Sequence, residues 1–192
     1  MVAAMTIPTL ISNYNEKVTV SKVKKMYSLL SQAYRLNLTQ GDVVIDANAV
    51  NSASQIASIF LPHLKIALDC GTDKDGCTYS GVYRGKDGVG RVRYGYNGTA
   101  TTYRVLLLDG SSIWFRSTVE EANAIFYDVN GVKPPNQWGH DLFIFVITND
   151  TVLPVGPDIE QYKAHGECAN SASGVTCTEY IIKNGNMDYL KK

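Results

Sequence analysis

The stretch that most limits what this chain can become is its first 38 residues, MVAAMTIPTLISNYNEKVTVSKVKKMYSLLSQAYRLNL. Residues 2–11 are uncharged and mostly apolar, with Pro8 inside the run. Past Asn13 the pattern changes. Val20, Val23, Met26, Tyr27, Leu30, Ala33 and Tyr34 recur at steps of three and four, the period of a helix with one apolar face. Lys17, Lys22, Lys24, Lys25 and Arg35 fall mostly elsewhere on the wheel. The spacing predicts one helix in two parts, an apolar tip over 1–12 and an amphipathic half over 13–38. A soluble core can use the second part and has no use for the first. The tip is well short of the roughly 20 residues that cross a hydrocarbon layer. It reads as the downstream end of a longer apolar helix that starts before Met1.

The remaining chain, 39–192, reads as one globular head. At 192 residues and 45% hydrophobic, the chain can bury a sizeable core. The formal net charge is zero, which gives no reason to expect a nucleic-acid or anionic-membrane partner. Residues 53–68 carry Ile56, Ile59, Phe60 and Leu64 at helical spacing, with Pro62 ending or kinking the helix. Strand-like runs follow at 91–97, 103–108, 112–115, 124–129 and 142–148, with a short edge at 151–154. Asp109-Gly110 lies between two apolar runs, and a type I′ hairpin is expected there, with positive φ at both central residues. LFIFVIT is apolar on both faces and predicts a central strand covered on both sides. Residues 176–183 fit either a turn of helix or a strand, and Met187, Tyr189 and Leu190 can dock the polar tail. A helix followed by an antiparallel sheet is an α+β order. The expected core sets Val23, Met26, Leu30 and Tyr34 against Leu107, Phe115, Phe126, Phe143 and Phe145.

The four cysteines fall as two close pairs, Cys70 with Cys77 and Cys168 with Cys177. Zinc sites usually have tighter spacing and nearby histidines. Two local disulfides are the simplest reading and imply an oxidising compartment. Four reduced thiols in a cytosolic protein are the alternative.

AAMTIPTLISNYNEKVTVSKVKKMYSLLSQAYRL resembles the region just after the membrane-embedded start of type IV pilin-like proteins, which include type II secretion pseudopilins. In that family the apolar run ends in Ala-Ala-x-x-Ile-Pro-x-Leu, matched here at Ala3, Ala4, Ile7, Pro8 and Leu10. Val2 and Ile11 complete the apolar tip. The leader ending in Gly and the Phe-Thr-Leu-x-Glu start that precede this run in the family have no counterpart here, so no residue is assigned to processing or methylation. LLLDGSSIWF, FYDVNGVKPPNQWGHDLFIF and CTEYIIKNGNMDYLK resemble the central hairpin, an Asp-x-Asn-Gly…Pro-Asn…Gly-x-Asp-x-Phe segment and the C-terminal end of the same group. The resemblance leaves out roughly 39–100. It implies a long N-terminal helix laid on an antiparallel sheet, in a structural subunit of a type IV pilus-like or pseudopilus filament. Its partners would be copies of itself, other pilin-like subunits, the inner membrane, the assembly machinery and a prepilin peptidase. Its location would be the inner membrane before assembly, then the periplasm or cell surface. The competing class is a secreted binding module, an adhesin or DNA-uptake subunit on the same fold, with an exposed Trp114 or Trp138 as its contact.

Asp128, Asn130, Asn136 and Asp141 gather carboxylate and amide oxygens in one Gly- and Pro-rich loop. Ca²⁺ takes such ligands, and the resemblance to calcium-binding pseudopilins adds weight to it, although a structural turn is the preferred reading. The spacing is not that of an EF-hand, and the same residues also cap turns without a metal. Asp69, Asp73 and Asp75 form a second, weaker cluster. Arg84, Lys86, Arg91 and Arg93 beside Tyr94 and Tyr96 invite a single-stranded DNA surface. Alternation puts the arginines and tyrosines of 91–97 on opposite faces, so a solvated sheet face is the better reading and no nucleic acid is expected. The chain has no G-x-S-x-G, H-E-x-x-H, Walker A loop or G-x-G-x-x-G after a strand, and no catalytic residue is proposed.

Overall fold

The apolar stripe on the first helix decides how the rest is arranged. In the computed structural model, which describes residues 3–41, 43–47, 49–90, 102–118 and 123–191, α1 runs from Ala3 to Gln40, straight through Pro8. Val20, Val23, Met26, Leu30, Ala33 and Tyr34 are buried, and Tyr27 stacks on Phe145 with ring centroids 5.9 Å apart. The Tyr34 hydroxyl donates to the Thr148 carbonyl at 2.9 Å, so the one polar atom of the stripe is satisfied where it enters the core. The helix stops where Gly41, at φ +71°, donates its N–H to the Asn37 carbonyl at 2.9 Å, a left-handed C-terminal cap.

The second helical stretch behaves as its proline requires. Helix α2 spans Ala53–Phe60 and tightens into a 3₁₀ turn at Leu61–His63, with Pro62 in its first positions. Phe60 stacks on Phe115 at 5.4 Å, so α2 covers the sheet beside α1. The chain then turns extended earlier than expected. Strand β1 occupies Ile66–Gly71, part of which carries the helical apolar spacing of 53–68. It is an edge strand, mostly exposed, and such a strand shows no two-residue apolar alternation.

Six strands form one antiparallel sheet in sequential order. They are β1, β2 (Thr102–Leu107), β3 (Ser112–Arg116), β4 (Ala124–Asp128), β5 (Leu142–Ile147) and β6 (Val152–Pro154). The strand expected over 91–97 lies outside the described residues. The β2–β3 hairpin closes at Asp109-Gly110, but only Gly110 has positive φ, at +83°. Leu106 pairs with Ser112 and the Leu107 N–H donates to the Ser111 carbonyl at 2.8 Å. The connection is therefore a longer loop with one left-handed glycine, not the two-residue type I′ turn. Strand β5 is buried along its whole length, as its apolar faces require, yet it is second from the edge. Where β6 ends at Pro154, the Ile144 N–H donates to Thr178 Oγ1 at 3.0 Å, which satisfies the edge that β6 leaves open.

Alternation divides the sheet into two apolar layers. Ile113, Phe115, Ile125, Tyr127, Phe143 and Phe145 pack with α1 and α2. Trp114, Phe126, Ile144 and Val146 form the other face, closed over by Tyr83, Trp138 and Tyr162. Phe126 is thus not in the layer under α1. It pairs with Trp114 across the β3–β4 ladder and stacks on it at 5.2 Å, one step out of phase with Ile125 and Tyr127. Near the end, α3 (Cys177–Asn184) is the helix of the two alternatives, and Met187 and Tyr189 are buried at its exit. Both disulfides form as spaced, with S–S distances of 2.07 Å for Cys70–Cys77 and 2.09 Å for Cys168–Cys177. Each closes a short loop in the reduced-entropy sense that stabilises small extracytoplasmic folds. No helix among the described residues is long and apolar enough to cross a membrane.

Leu30 is fully buried beneath the sheet face that holds Phe115 and Phe145. Leu30→Ala should cost about 2–5 kcal/mol in urea unfolding. Combined with Phe126→Ala on the opposite face, the losses should add to within about 0.5 kcal/mol; a strong coupling between the two would contradict the two-layer division.

Candidate functional site

The β4–β5 connection starts and ends on an aspartate, and the fold buries both. Asp128 closes β4 on the aromatic face, level with Ser112 of β3, and is fully buried. Its Oδ1 accepts the N–H groups of Asn130 at 3.2 Å and Gly131 at 3.0 Å, an Asx turn that starts the loop. Gly131 sits at φ +66°, and a Cβ there would lie 2.1 Å from the Gly110 carbonyl oxygen. Only glycine lets the loop lie this close to the β2–β3 hairpin. Asp141, one residue before β5, accepts the Gln137 N–H on Oδ1 and the Asn130 amide on Oδ2 at 3.0 Å. Its backbone carbonyl takes the Val129 N–H at 2.8 Å. The four residues singled out in the sequence are therefore folded back on one another, around Asn136 held at φ +48°.

The loop leaves oxygen atoms without partners. Asp128 Oδ2, Asn130 Oδ1 and both amide atoms of Asn136 are buried with no hydrogen bond. Asn136 is fully buried. Orphaned polar atoms in a dry site are costly and ask for an explanation. The Tyr83 hydroxyl is also buried and close to Asp128, though outside hydrogen-bond geometry. Nothing in the sequence marks Tyr83, since 79–90 has neither period nor motif. The fold brings it in because the Arg84 N–H donates to the Asn136 carbonyl at 3.1 Å and the Trp138 N–H donates to the Arg84 carbonyl at 2.9 Å.

The electrostatics match this reading of the contacts. Burial, reinforced by the charge on Asp141, pushes the Asp128 carboxyl well above the usual carboxylate range. Burial pushes Asp141 up to about 6, against the pull of its hydrogen bonds from Gln137 and Asn130. Burial and then the Asp128 charge raise the Tyr83 phenol. Two buried carboxyl groups, one of which the other's charge keeps from ionising, suit either a retained proton or a bound cation. Among the described residues no three His, Cys, Asp or Glu side chains gather into a metal cluster, so a cation here would lean on two carboxylates plus amide oxygens. A hard ion such as Ca²⁺, which takes six to eight oxygens and tolerates irregular geometry, fits that donor set. Asp128, Asn130 and Asn136 would supply free oxygens, and Asp141 would give up one of its present bonds.

The other sequence candidates are placed differently. Asp69 accepts from the Gly71 N–H at 2.9 Å and from the Tyr103 hydroxyl at 2.8 Å. Asp73 accepts from Thr72 Oγ1 at 3.0 Å, and Asp75 lies 3.7 Å from the buried Arg104 guanidinium. These carboxylates hold the 70–77 loop to β2 and do not converge. Trp114 and Trp138 are both buried, which corrects the expectation of an exposed tryptophan contact; each packs against Phe126. Lys86 points its ammonium at the Cys168 and Ala169 carbonyls, while Arg91, Arg93, Tyr94 and Tyr96 lie outside the described residues. Leu10 and Ile11 of the apolar tip are 69% and 55% exposed. Val2 lies outside the described residues, and Ala3, Ala4, Ile7 and Pro8 are described only as helical backbone of α1.

A pH dependence follows from the raised carboxyls. Asp141 binds its proton more tightly folded than unfolded, so the chelator-treated protein should lose stability as pH rises from about 4 through about 6. Asp141→Asn should remove roughly 2–3 kcal/mol of that loss between pH 4 and pH 7.5. His140 and His165, whose basicity burial lowers, act in the opposite direction in both proteins and cancel in the comparison. Identical pH–stability curves for the two would show that Asp141 is not an acid held out of water. No protein-family model matches this chain, and comparison with curated proteins and with solved structures gives no match.

Proposed function

We propose that the chain is a structural subunit of a helical filament of the type IV pilin-like or pseudopilin kind, working by self-assembly and not by catalysis. One observation carries the reading. Helix α1 spans Ala3–Gln40, yet among the described side chains the first buried one is Val20, and every residue from 10 to 15 is exposed. Leu10, Ile11 and Tyr14 are 69%, 55% and 67% exposed. Among the residues whose side chains are described, 10–19 precede the part that the sheet covers, roughly 15 Å of helix at about 1.5 Å per residue. An apolar helix end left in water is a cost that burial among copies of itself, or in lipid, would remove at about 1.5–3 kcal/mol per large side chain. Head-to-tail contacts of this kind grow into open polymers. Two disulfides on the head suit an oxidising, extracytoplasmic location. On this reading the partners are other copies, related subunits and the inner membrane, and the assembly machinery and a prepilin peptidase follow from the family resemblance.

The acid-lined loop gives the reading a second part. A Ca²⁺ ion held by Asp128, Asn130, Asn136 and Asp141 would satisfy the orphaned oxygens and fix the loop that seals the aromatic face. It would act as a lock on the head and not as a reagent.

Two measurements test these parts separately. Leu10→Asp with Ile11→Asp should abolish concentration-dependent self-association in sedimentation and filaments in electron micrographs, with the melting temperature of the head unchanged. A variant that assembles as the parent does would sink the filament reading. Ca²⁺ at about 100 times its Kd should stabilise the parent by about 2.7 kcal/mol, a rise of roughly 5–10 °C in Tm. Asp128→Asn should erase that rise. The calcium lock fails if the melts with Ca²⁺ and with chelator coincide.

A further inference from the structure

Beside the docked half of α1 lies a groove of about 550 Å³ that neither the filament reading nor the acid-lined loop uses. It runs between α1, the turn after α2 and the β2–β3 hairpin. Its volume lies in the range of small-molecule sites, roughly 300–1,000 Å³. Leu29, Leu64 and Leu107 line its wall, and Leu108, 68% exposed, stands at its mouth. The polar rim is cationic. Lys25, His63 and Lys65 face it, and among the described residues none of their side chains has an ion pair or hydrogen bond. Lys22 is already engaged, with the Val129 carbonyl at 3.3 Å and Asp109 at 3.7 Å. Asp109, the one acid of the lining, is held by the Ser111 hydroxyl and N–H as well as by Lys22.

An apolar trough with two ammonium groups at its edge, Lys65 and a Lys25 whose charge reaches Asp109 without an ion pair, is complementary to an apolar chain that ends in a negative charge. A neutral chain would leave the lysines unused. A multiply charged, polar anion would leave Leu29, Leu64 and Leu107 facing its hydrophilic body. We propose that this groove binds a free medium-chain carboxylate, with its head at Lys25 and Lys65 and its tail along Leu29, Leu64 and Leu107. Long-stemmed lysines suit this role, because the stem lies along apolar surface while the ammonium meets the head. The proposal stands apart from the filament reading and survives or fails without it.

Isothermal titration of the full chain with dodecanoate, below its micelle-forming concentration, tests it. The expected result is one saturable site, weakened about tenfold or more in Lys25→Glu/Lys65→Glu and by raised salt. Dodecanol should bind at least tenfold more weakly. Dodecanoate binding should fade below about pH 5, as an unperturbed carboxylate takes up its proton. Both lysines are exposed, so the double variant should melt with the parent; should it misfold, Lys25→Gln/Lys65→Gln carries the test. Any of three results overturns the proposal: no saturable binding, equal affinity in the charge-reversed protein, or retention only on phosphatidylglycerol vesicles, which would make the rim a membrane-surface patch.

Discussion

Everything else in this molecule is arranged around half of one helix lying on one face of a sheet. The stripe Val20, Val23, Met26, Leu30, Tyr34 is buried against the layer that contains Phe115, Phe143 and Phe145. Because side chains alternate along each strand, covering that layer fixes which residues face the other way. Trp114, Phe126, Ile144 and Val146 are then driven to the far side, where among the described residues no α-helix supplies the cover and a 3₁₀ turn at Glu160–His165 brings Tyr162. The far side must be closed by irregular chain, and irregular chain brings backbone polar groups that need partners. This explains why residues 79–90, 128–141 and 155–175 are tied to one another by so many main-chain bonds. Lys86 and Asp87 donate their N–H groups to the Ser173 and Ala172 carbonyls at 3.1 and 3.0 Å, and Gly174 lies so close to the Trp138 carbonyl that a Cβ would come within 2.6 Å of it. The Cys168–Cys177 bridge joins this cover to α3.

The acid-lined loop is a consequence of the same arrangement. Asp128 falls on the far side by alternation, two residues from Phe126, and the loop that follows must fold back over it to cover Trp138. A carboxylate placed there cannot reach water. The hydrogen bonds that it accepts from Asn130 and Gly131 offset part of the penalty, and the remaining oxygen is left without a donor. Among the described residues no arginine or lysine is bonded to it, in contrast to the 70–77 loop, where Arg104 reaches the Thr72 carbonyl at 2.9 Å and lies near Asp75. A buried acid pair with amide oxygens and no basic partner is a site that a hard cation would complete, whereas the 70–77 loop already has its cation in the chain.

Much of this was legible from residues alone, and the gaps have physical causes. The stripe on α1, the stop at Pro62, the hairpin at Asp109-Gly110, the edge strand before Pro154 and both cysteine pairs follow from local period, dihedral limits and loop spacing. Strand β1 was hidden because an exposed edge carries no alternation, and its apolar residues continue the helical spacing of 53–68. Phe126 was placed on the wrong face because phase within a strand is fixed by the partner's register, Trp114 opposite Phe126, and not by the strand's own letters. The tryptophans looked available for contact because their loop and strand positions say nothing about what folds over them. At the candidate site, Asp128, Asn130, Asn136 and Asp141 were visible as a cluster. Tyr83 was not, since its position is set by main-chain bonds from Arg84 to residues more than 50 positions away. The basic groove was invisible for the same reason: Lys25 comes from a segment far from His63 and Lys65, and neutral overall charge conceals a local excess.

The C-terminal tail meets α1 near Glu16 and Val20, where the helix leaves the head, and this junction bears on whether the projecting part can stay helical. An isolated helix of that length is marginal in water because its first turn is costly to nucleate. Here the docked half supplies the nucleus, so the exposed half need only propagate from it. Propagation requires that the turn at the exit not fray. Among the described side chains Val20 is the last buried one toward the N-terminus, and the C-terminal tail lies beside it, with Met187 and Tyr189 buried and the Tyr189 hydroxyl donating to the Gly139 carbonyl. The ion pair of Glu16 with Lys191, at 3.5 Å and open to solvent on the lysine side, is screened and adds little. The brace is therefore mainly the apolar packing of Val20 and Met187, anchored through Tyr189 to the same 128–141 connection that carries the buried acids. Tyr189 thus ties the tail at the helix exit to the 128–141 connection, and Lys22 of α1 reaches the same connection directly through the Val129 carbonyl at 3.3 Å, so the docked half of the helix and the acid-bearing loop share their supports.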